Sequence, residues 1–468
     1  MVRFNYLKWG IVALISAALV GCGGSSSNDD TAKLRAVHAS PDAPRVDIVV
    51  NNKKLAEASY SEATGFVSQH AGNVTININV NGSIPTVTAL SAAAALERNK
   101  YYTVFAANKV AAIEALIVVD ENNAPANGSA KVRVVHAAPD APAVDVFVTA
   151  PSADLSSAAV TPTLSFAFKG IVPANGTKAL EIPGGDYRIR VTPVGNKATV
   201  VYDSGTINVA AGSDLVIAAI QENSAASVAP ISLLLLPKTG ASAVLPDARA
   251  KVRVGHFSPN TPTVDVYLGA PGSPLTSATE VVPNASFPVA SGFLTVAPGT
   301  YRASVALDGT TNEAIGLDAA ITAGLDVSVF AIGLNGGSGA NALRLNAYPD
   351  NLNAPPAGKA KLRVLHLSPD APAVDVVVLS APNVIAARVV QNLAFPNASA
   401  SYLELDPGTY TVAVVPTGAN APLLPSAAGV PITLAAGNIR TVAAIGCLAT
   451  SGTCAGGAAF SLTLLNDN

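Results

Sequence analysis

Residues 362–376 read LRVLHLSPDAPAVDV, and close copies stand at 34–48 (LRAVHASPDAPRVDI), 132–146 (VRVVHAAPDAPAVDV) and 252–266 (VRVGHFSPNTPTVDV). Their histidines are His38, His136, His256 and His366, so successive copies lie 98, 120 and 110 residues apart. That spacing is too long for a solenoid repeat and suits a small domain. The expected organisation is four tandem domains, at 33–125, 131–240, 251–352 and 361–468. The segments between them, NNAPANGSA (122–130), KTGASAVLPDARA (238–250) and LNAPPAGKA (352–360), are rich in Pro, Gly and Ala. Proline stiffens such spacers, which predicts a semi-extended string of beads.

Within each repeat the apolar runs are short, β-branched and separated by turn residues. In the second repeat the pattern predicts strands near 131–137, 144–149, 164–168, 178–182, 186–192, 199–203, 206–209, 214–220 and 231–236. A second phrase recurs as PGGDYRIRV (183–191), APGTYRASV (297–305) and DPGTYTVAV (406–414). Each is a Pro-Gly turn feeding an alternating strand led by Tyr187, Tyr301 or Tyr410. The first repeat has only a weak counterpart, and its alanines at 91–96 could hold a helical turn. Seven to nine strands in about a hundred residues predict an all-β fold of immunoglobulin-like or transthyretin-like sandwiches.

Successive strand residues face opposite sides, which sorts the phrase into two faces. Lys33, Arg35 and Val37 share one face, and Leu34, Ala36 and His38 the other. If SPDAP closes a hairpin centred on Pro41, Leu34 opposes Ile48 and Arg35 opposes Asp47 on the outer face. The same register pairs Arg133 with Asp145, Arg253 with Asp265 and Arg363 with Asp375. Placing the two strands in different sheets is the alternative, and it breaks these pairs. Each histidine then points inward and hydrogen-bonds the backbone of the proline-containing turn. There Asp42, Asp140, Asn260 or Asp370 can form an Asx-turn.

These polar residues do not compose a catalytic or metal centre. Ser40 becomes Ala138 in the second copy, so a serine nucleophile is not kept. Strand parity puts the second aspartate on the face away from the imidazole. The same separation leaves too few ligands for a metal. His70, outside the phrase, reads as a solvated loop residue. No GxSxG, HExxH, Walker or dinucleotide fingerprint occurs. The net charge is −3, or −5 once Arg3 and Lys8 are removed, with no basic tract. That excludes phosphate-backbone binding to nucleic acid.

The first 21 residues read as an export signal: a basic start at Arg3 and Lys8, then an apolar run from Gly10 to Val20. The run ends in Leu19-Val20-Gly21-Cys22, which resembles the lipobox of bacterial lipoproteins. That resemblance implies cleavage before Cys22, acylation of the cysteine and anchoring to a membrane through its acyl chains. The alternative is a plain secretory signal. Residues 22–32 then form a flexible tether. By the same resemblance Gly23 favours the outer membrane of a host that has one. Cys447 and Cys454, flanking a six-residue loop, read as a disulfide in an exported chain, with two free buried thiols as the alternative.

The H-x-[SA]-P-[DN]-x-P-x-V-D phrase, the strand after it and the later PGTY hairpin resemble the bacterial family called domain of unknown function 4397. The resemblance covers all four repeats. It departs at Asn260 and Thr261 and at the missing PGTY of the first repeat, and it implies no established activity. The expected function is a non-enzymatic, lipid-anchored cell-envelope protein, an adhesion, binding or structural array with a surface protein or glycan as ligand and no cofactor. The alternatives are a glycan-binding module and, third, an envelope hydrolase. Aromatic platforms for sugars are scarce, since Trp9 leaves with the signal.

Overall fold

Alternating valines, isoleucines and alanines in the first repeat form eight strands. They are β1 (Thr31–His38), β2 (Val46–Val50), β3 (Lys53–Ala58), β4 (Val67–His70), β5 (Gly72–Val80), β6 (Thr88–Leu96), β7 (Lys100–Ala107) and β8 (Glu114–Glu121). The computed structural model describes residues 30–82, 88–223, 229–356, 358–423, 428–449 and 451–468. The export signal, Trp9, Cys22 and nearly all of the tether lie outside them. The strands form two sheets, β4-β1-β7-β8 and β3-β2-β5-β6, with β1 and β7 parallel. The sheets close on Leu34, Ala36, Ile48, Ile76 and Ile78.

The later repeats follow the same plan. Ser129–His136 runs parallel to Asp214–Gln221, Ala250–His256 to Asp326–Ile332, and Ala360–His366 to Ile439–Ile445. Each is joined by a second sheet led by Val144–Thr149, Val264–Gly269 or Val374–Ala381. The chain is all-β: among the described residues the only helices are four short 3₁₀ turns. In the second repeat the strands fall close to the expected positions, except that 199–203 and 206–209 merge into Tyr202–Val209. Residues 91–96 lie in β6 and are not helical. Ala94 and Leu96 pair with Val74 and Gly72 of β5 and point into the core, so packing overrides the helical preference of alanine.

Three expectations are corrected. The phrase does not close a hairpin. β1 pairs with β4 and β7, whereas β2 pairs with β3 and β5 in the opposite sheet. Both edges of β1 are thus occupied, and Pro41 and Pro44 lack the N–H groups a continuing ladder requires. The arginine–aspartate pairs across that hairpin are accordingly absent. His70 is exposed as expected but ends a strand, not a loop.

The repeats are not separate beads. Val37, Phe105, Val118, Val135, Val216, Ile220 and Leu234 merge into one cluster between the first and second repeats. Phe257, Phe330, Tyr348, Leu365, Leu367 and Ala443 do the same between the third and fourth. The linker at 238–250 is also docked: Ala243–Leu245 adds a strand beside Ile231–Pro237, and Tyr202 donates to Leu245 O at 3.0 Å. Arg249 donates to Val201 O at 3.0 Å and pairs with Asp247 at 2.6 Å. Proline here fixes a docked path, and the spacer is not extended.

Candidate functional site: the repeated phrase

All four phrase histidines are 0–1 % exposed and lie at the core-facing end of the first strand of their repeat. Each ring approaches a carbonyl of its own turn through Nε2. His38 meets Pro44 O at 2.9 Å, His136 meets Pro142 O at 3.2 Å, and His366 meets Pro372 O at 3.0 Å. His256 meets Thr261 O at 3.2 Å and Pro262 O at 3.1 Å. A proline carbonyl only accepts, so Nε2 carries the proton and Nδ1 is left as the acceptor. Ser40 N and Ser258 N approach that Nδ1 at 3.4 Å. Burial holds all four imidazoles below their ordinary pKa, against the smaller upward pull of the carbonyls.

The first acidic position of the phrase ties its turn to the loop after the seventh strand. Asp42 accepts from Val110 N at 2.7 Å, and Asp370 from Leu448 N and Ala449 N at 2.8 Å. Asn260 accepts from Asn335 N at 2.8 Å and donates to Thr453 O of the fourth repeat at 2.9 Å. Asp140 instead pairs with Lys109 of the first repeat at 2.8 Å.

The second position clamps the other sheet. Asp265 accepts from Asn284 N at 2.8 Å and Gly309 N at 3.2 Å, and Asp375 from Asn392 N at 2.8 Å and Gly418 N at 3.1 Å. Asn284 and Asn392 sit at φ 51° and 52°, the left-handed region that asparagine tolerates. Asp145 holds Ser165 and Gly195 N, and Asp47 holds Asn81 and Lys54.

The arginines face the neighbouring repeat. Arg133 pairs with Asp120 at 2.7 Å and Arg363 with Asp350. Arg253 pairs with Asp467 at 2.8 Å and lies 3.7 Å from Asp350. Arg35 donates to Pro237 O at 2.6 Å and Leu236 O at 3.0 Å. The inter-repeat targets, Asp120, Leu236, Pro237, Asp467 and, for Arg363, Asp350, lie in or just beyond the last strand of the paired repeat: first with second, third with fourth, each way. Beside Arg253, Asp350 is a residue of its own repeat, and Arg133 also donates to Ala174 O at 3.0 Å and Thr177 O at 2.9 Å of its own repeat. Three of these last strands carry an aspartate at or just past their end, but the second repeat offers Pro237-Lys238 in its place. Without a bonded carboxylate, Arg35 is pushed by burial down to about 10, with Asp120 and Asp214 opposing the shift. Burial raises the Asp350 carboxyl, against the pull of Arg363 and Arg253.

Cys447 and Cys454 form a disulfide whose loop rests on the third repeat, with Ala458 N donating to Pro259 O at 3.0 Å. Among the described residues the one cluster of potential metal ligands is Asp370 with these cysteines. Its two sulfurs are bonded to each other, and its carboxylate holds backbone N–H groups, so these residues do not fit a metal. The tyrosine hydroxyls are engaged as well: Tyr187 donates to Pro183 O at 2.7 Å, Tyr301 to Ala297 O at 3.0 Å and Tyr410 to Asp406 O at 2.8 Å.

The model of a domain of unknown function, DUF4397, matches residues 32–147, 149–267 and 250–377. The chain belongs to the DUF4397 family. Two of the three DUF4397 matches begin at one copy of the phrase and run through the next, and the remaining one ends on a copy. No curated protein matches the chain. Among solved structures, the Bacillus anthracis TIE protein is similar over 85% of this chain and 65% of its own, at 13% identity and a TM-score of 0.17. A second is a pneumococcal product complex of the multi-modular glycogen-degrading virulence factor SpuA. It is similar over 62% of this chain and 38% of its own, at 8% identity and a TM-score of 0.15. The DUF4397 chain thus spans less than two thirds of either.

The arginine targets Asp120, Asp350 and Asp467 and the flanking Lys131 and Lys361 were not singled out from the sequence. Lys131 caps the first linker through Asn123 O at 3.0 Å, and Lys361 the third through Asn353 O at 2.7 Å. The available signal was the lysine that precedes every phrase, Lys33, Lys131, Lys251 and Lys361.

Proposed function

We propose that the chain is a lipid-anchored, non-enzymatic envelope protein whose paired repeats form a stiff array for binding or adhesion at the cell surface. The observation that carries this reading is the use of the repeated phrase. In each copy the imidazole braces its own turn, the acids hold backbone N–H groups, side chains or a lysine, and the arginine secures the neighbouring repeat. The recurring polar groups therefore serve shape. Fusion of the repeats into two pairs, with a docked linker between them, supports a rigid projection over a flexible one. Equivalent faces repeated along such an array raise avidity for a multivalent target.

Protease shaving of intact cells, followed by adhesion assays, tests the proposal. The wild-type chain is expected to be cleaved from outside. A variant whose tether leads directly into residue 250 is expected to lose adhesion. A chain protected in intact cells, or adhesion unchanged by removing the first pair, overturns it.

A further inference from the structure

Three repeats contain a space between their sheets at one equivalent place, and its size differs sharply among them. It measures about 260 Å³ in the second repeat, about 30 Å³ in the third and about 180 Å³ in the fourth. In the second repeat, Val134 and Ile217 line it from one sheet, and Val146 and Ile189 from the other. Leu164 and Ile182 contribute from the two edge strands on the same side, Leu164–Phe166 and Leu180–Pro183, so the space reaches the flank of the sandwich.

Edge-strand length alone does not set the size, since the fourth repeat combines the longest edge strand with about 180 Å³, but in the second repeat a short edge strand leaves the flank less covered. The edge strand in question runs Thr279–Ala285 in the third repeat and Val384–Leu393 in the fourth, but only Leu164–Phe166 in the second. The missing strand length is replaced by the loop at 150–163. A well-packed core leaves few voids larger than a water molecule, so a space of this size is unusual. Its lining carries no charged residue. It has two hydroxyls: Thr163 Oγ1 accepts from Val148 N at 3.0 Å, and Tyr187 donates to Pro183 O. A water needs two to four polar partners and would find almost none, so a cavity with such walls stays dry and takes apolar guests.

We infer that the second repeat binds a single aliphatic chain between its sheets, with the polar end of the ligand left at the open flank. The slot between sheets packed about 10 Å apart admits an extended hydrocarbon. The unpartnered interior excludes sugars and nucleotides, whose polar groups would be buried without hydrogen bonds. The fourth repeat is a weaker site of the same kind, and the third has no room.

The test uses the full mature chain with decanol and decanoate, followed by titration calorimetry and native mass spectrometry. One tight equivalent of decanol is expected. Equal affinity for decanoate shows that the hydrocarbon alone is read, and tighter decanoate binding adds recognition of the carboxylate at the mouth. Val134→Phe, which fills the slot, is expected to weaken binding more than tenfold and to raise the melting temperature. Val254→Phe, at the equivalent place in the third repeat, is expected to lower the melting temperature without changing binding. Ile207→Phe fills the same slot from the other sheet and serves if Val134→Phe does not fold. Absence of decanol binding up to its solubility overturns the inference, as does binding untouched by the slot-filling variants.

Discussion

Replacing Asp350 by alanine should destabilise the second pair of repeats far more than any surface carboxylate would. The Asp350 side chain is fully buried, receives Arg363, lies 3.7 Å from Arg253 and accepts from Ser328 Oγ at 2.8 Å. Its loss leaves the Arg363 guanidinium without an acid partner at a closed interface. Removing one member of a buried ion pair costs about 3–5 kcal/mol, because the surviving charge stays desolvated. At an m-value of about 2 kcal/mol/M, that moves a urea midpoint by about 2 M. Far-ultraviolet circular dichroism across a urea titration should show two transitions, one for each pair. Asp350→Ala should shift only the transition of the pair that contains residues 251–468. Asp318→Ala, which removes an exposed partner of Arg302, provides the comparison at below about 1 kcal/mol. A loss under 1 kcal/mol for Asp350→Ala, or an equal shift of both transitions, would refute the claim that this carboxylate joins two repeats.

Other outcomes follow from the same contacts. Because burial depresses the four histidines, the folded chain stays neutral at these sites while the unfolded chain begins to protonate near pH 6.5. Stability should therefore be full above that pH and fall as pH drops from 6.5 toward the depressed values. Each site contributes up to about 1.4 kcal/mol per pH unit, and a flat profile between pH 7 and 5 in chemical denaturation would contradict the burial. Reducing the Cys447–Cys454 bond, which closes a loop with a sequence separation of 7, should lower the stability of the second pair by about 2.5 kcal/mol. Thermal melts with and without reductant read that loss. Cys22→Ser should move the protein from the membrane fraction to the soluble fraction, and unchanged fractionation would remove the lipid anchor from the proposal.

Strand positions in the second repeat were legible because valine and isoleucine alternate between turn residues, and the two faces of β1 were sorted correctly. Leu34, Ala36 and His38 do face one side, and Arg35 and Val37 the other. Alternation, however, says which residues share a face and nothing about what covers it. The outer face was expected to meet water and a cross-strand aspartate, but it meets another repeat. The hairpin register was misleading for a related reason. Leu34 and Ile48 both face the same core whether their strands lie side by side or across from one another, so their coincidence could not choose between the two. The aspartates at 120, 350 and 467 acquire meaning only when the ends of the last strands are placed beside the arginines of another repeat. The open flank of the second repeat was hidden for a different reason: a truncated edge strand looks like an ordinary loop in one dimension.

The reciprocal arginine exchange sets a rule of parity. A chain that lost a lone repeat would be left with an apolar flank and a stranded guanidinium, and it would cover them by seizing the matching flank of a second molecule. Variation in the length of such proteins should therefore proceed in twos, with odd-numbered members recovered as intermolecular dimers.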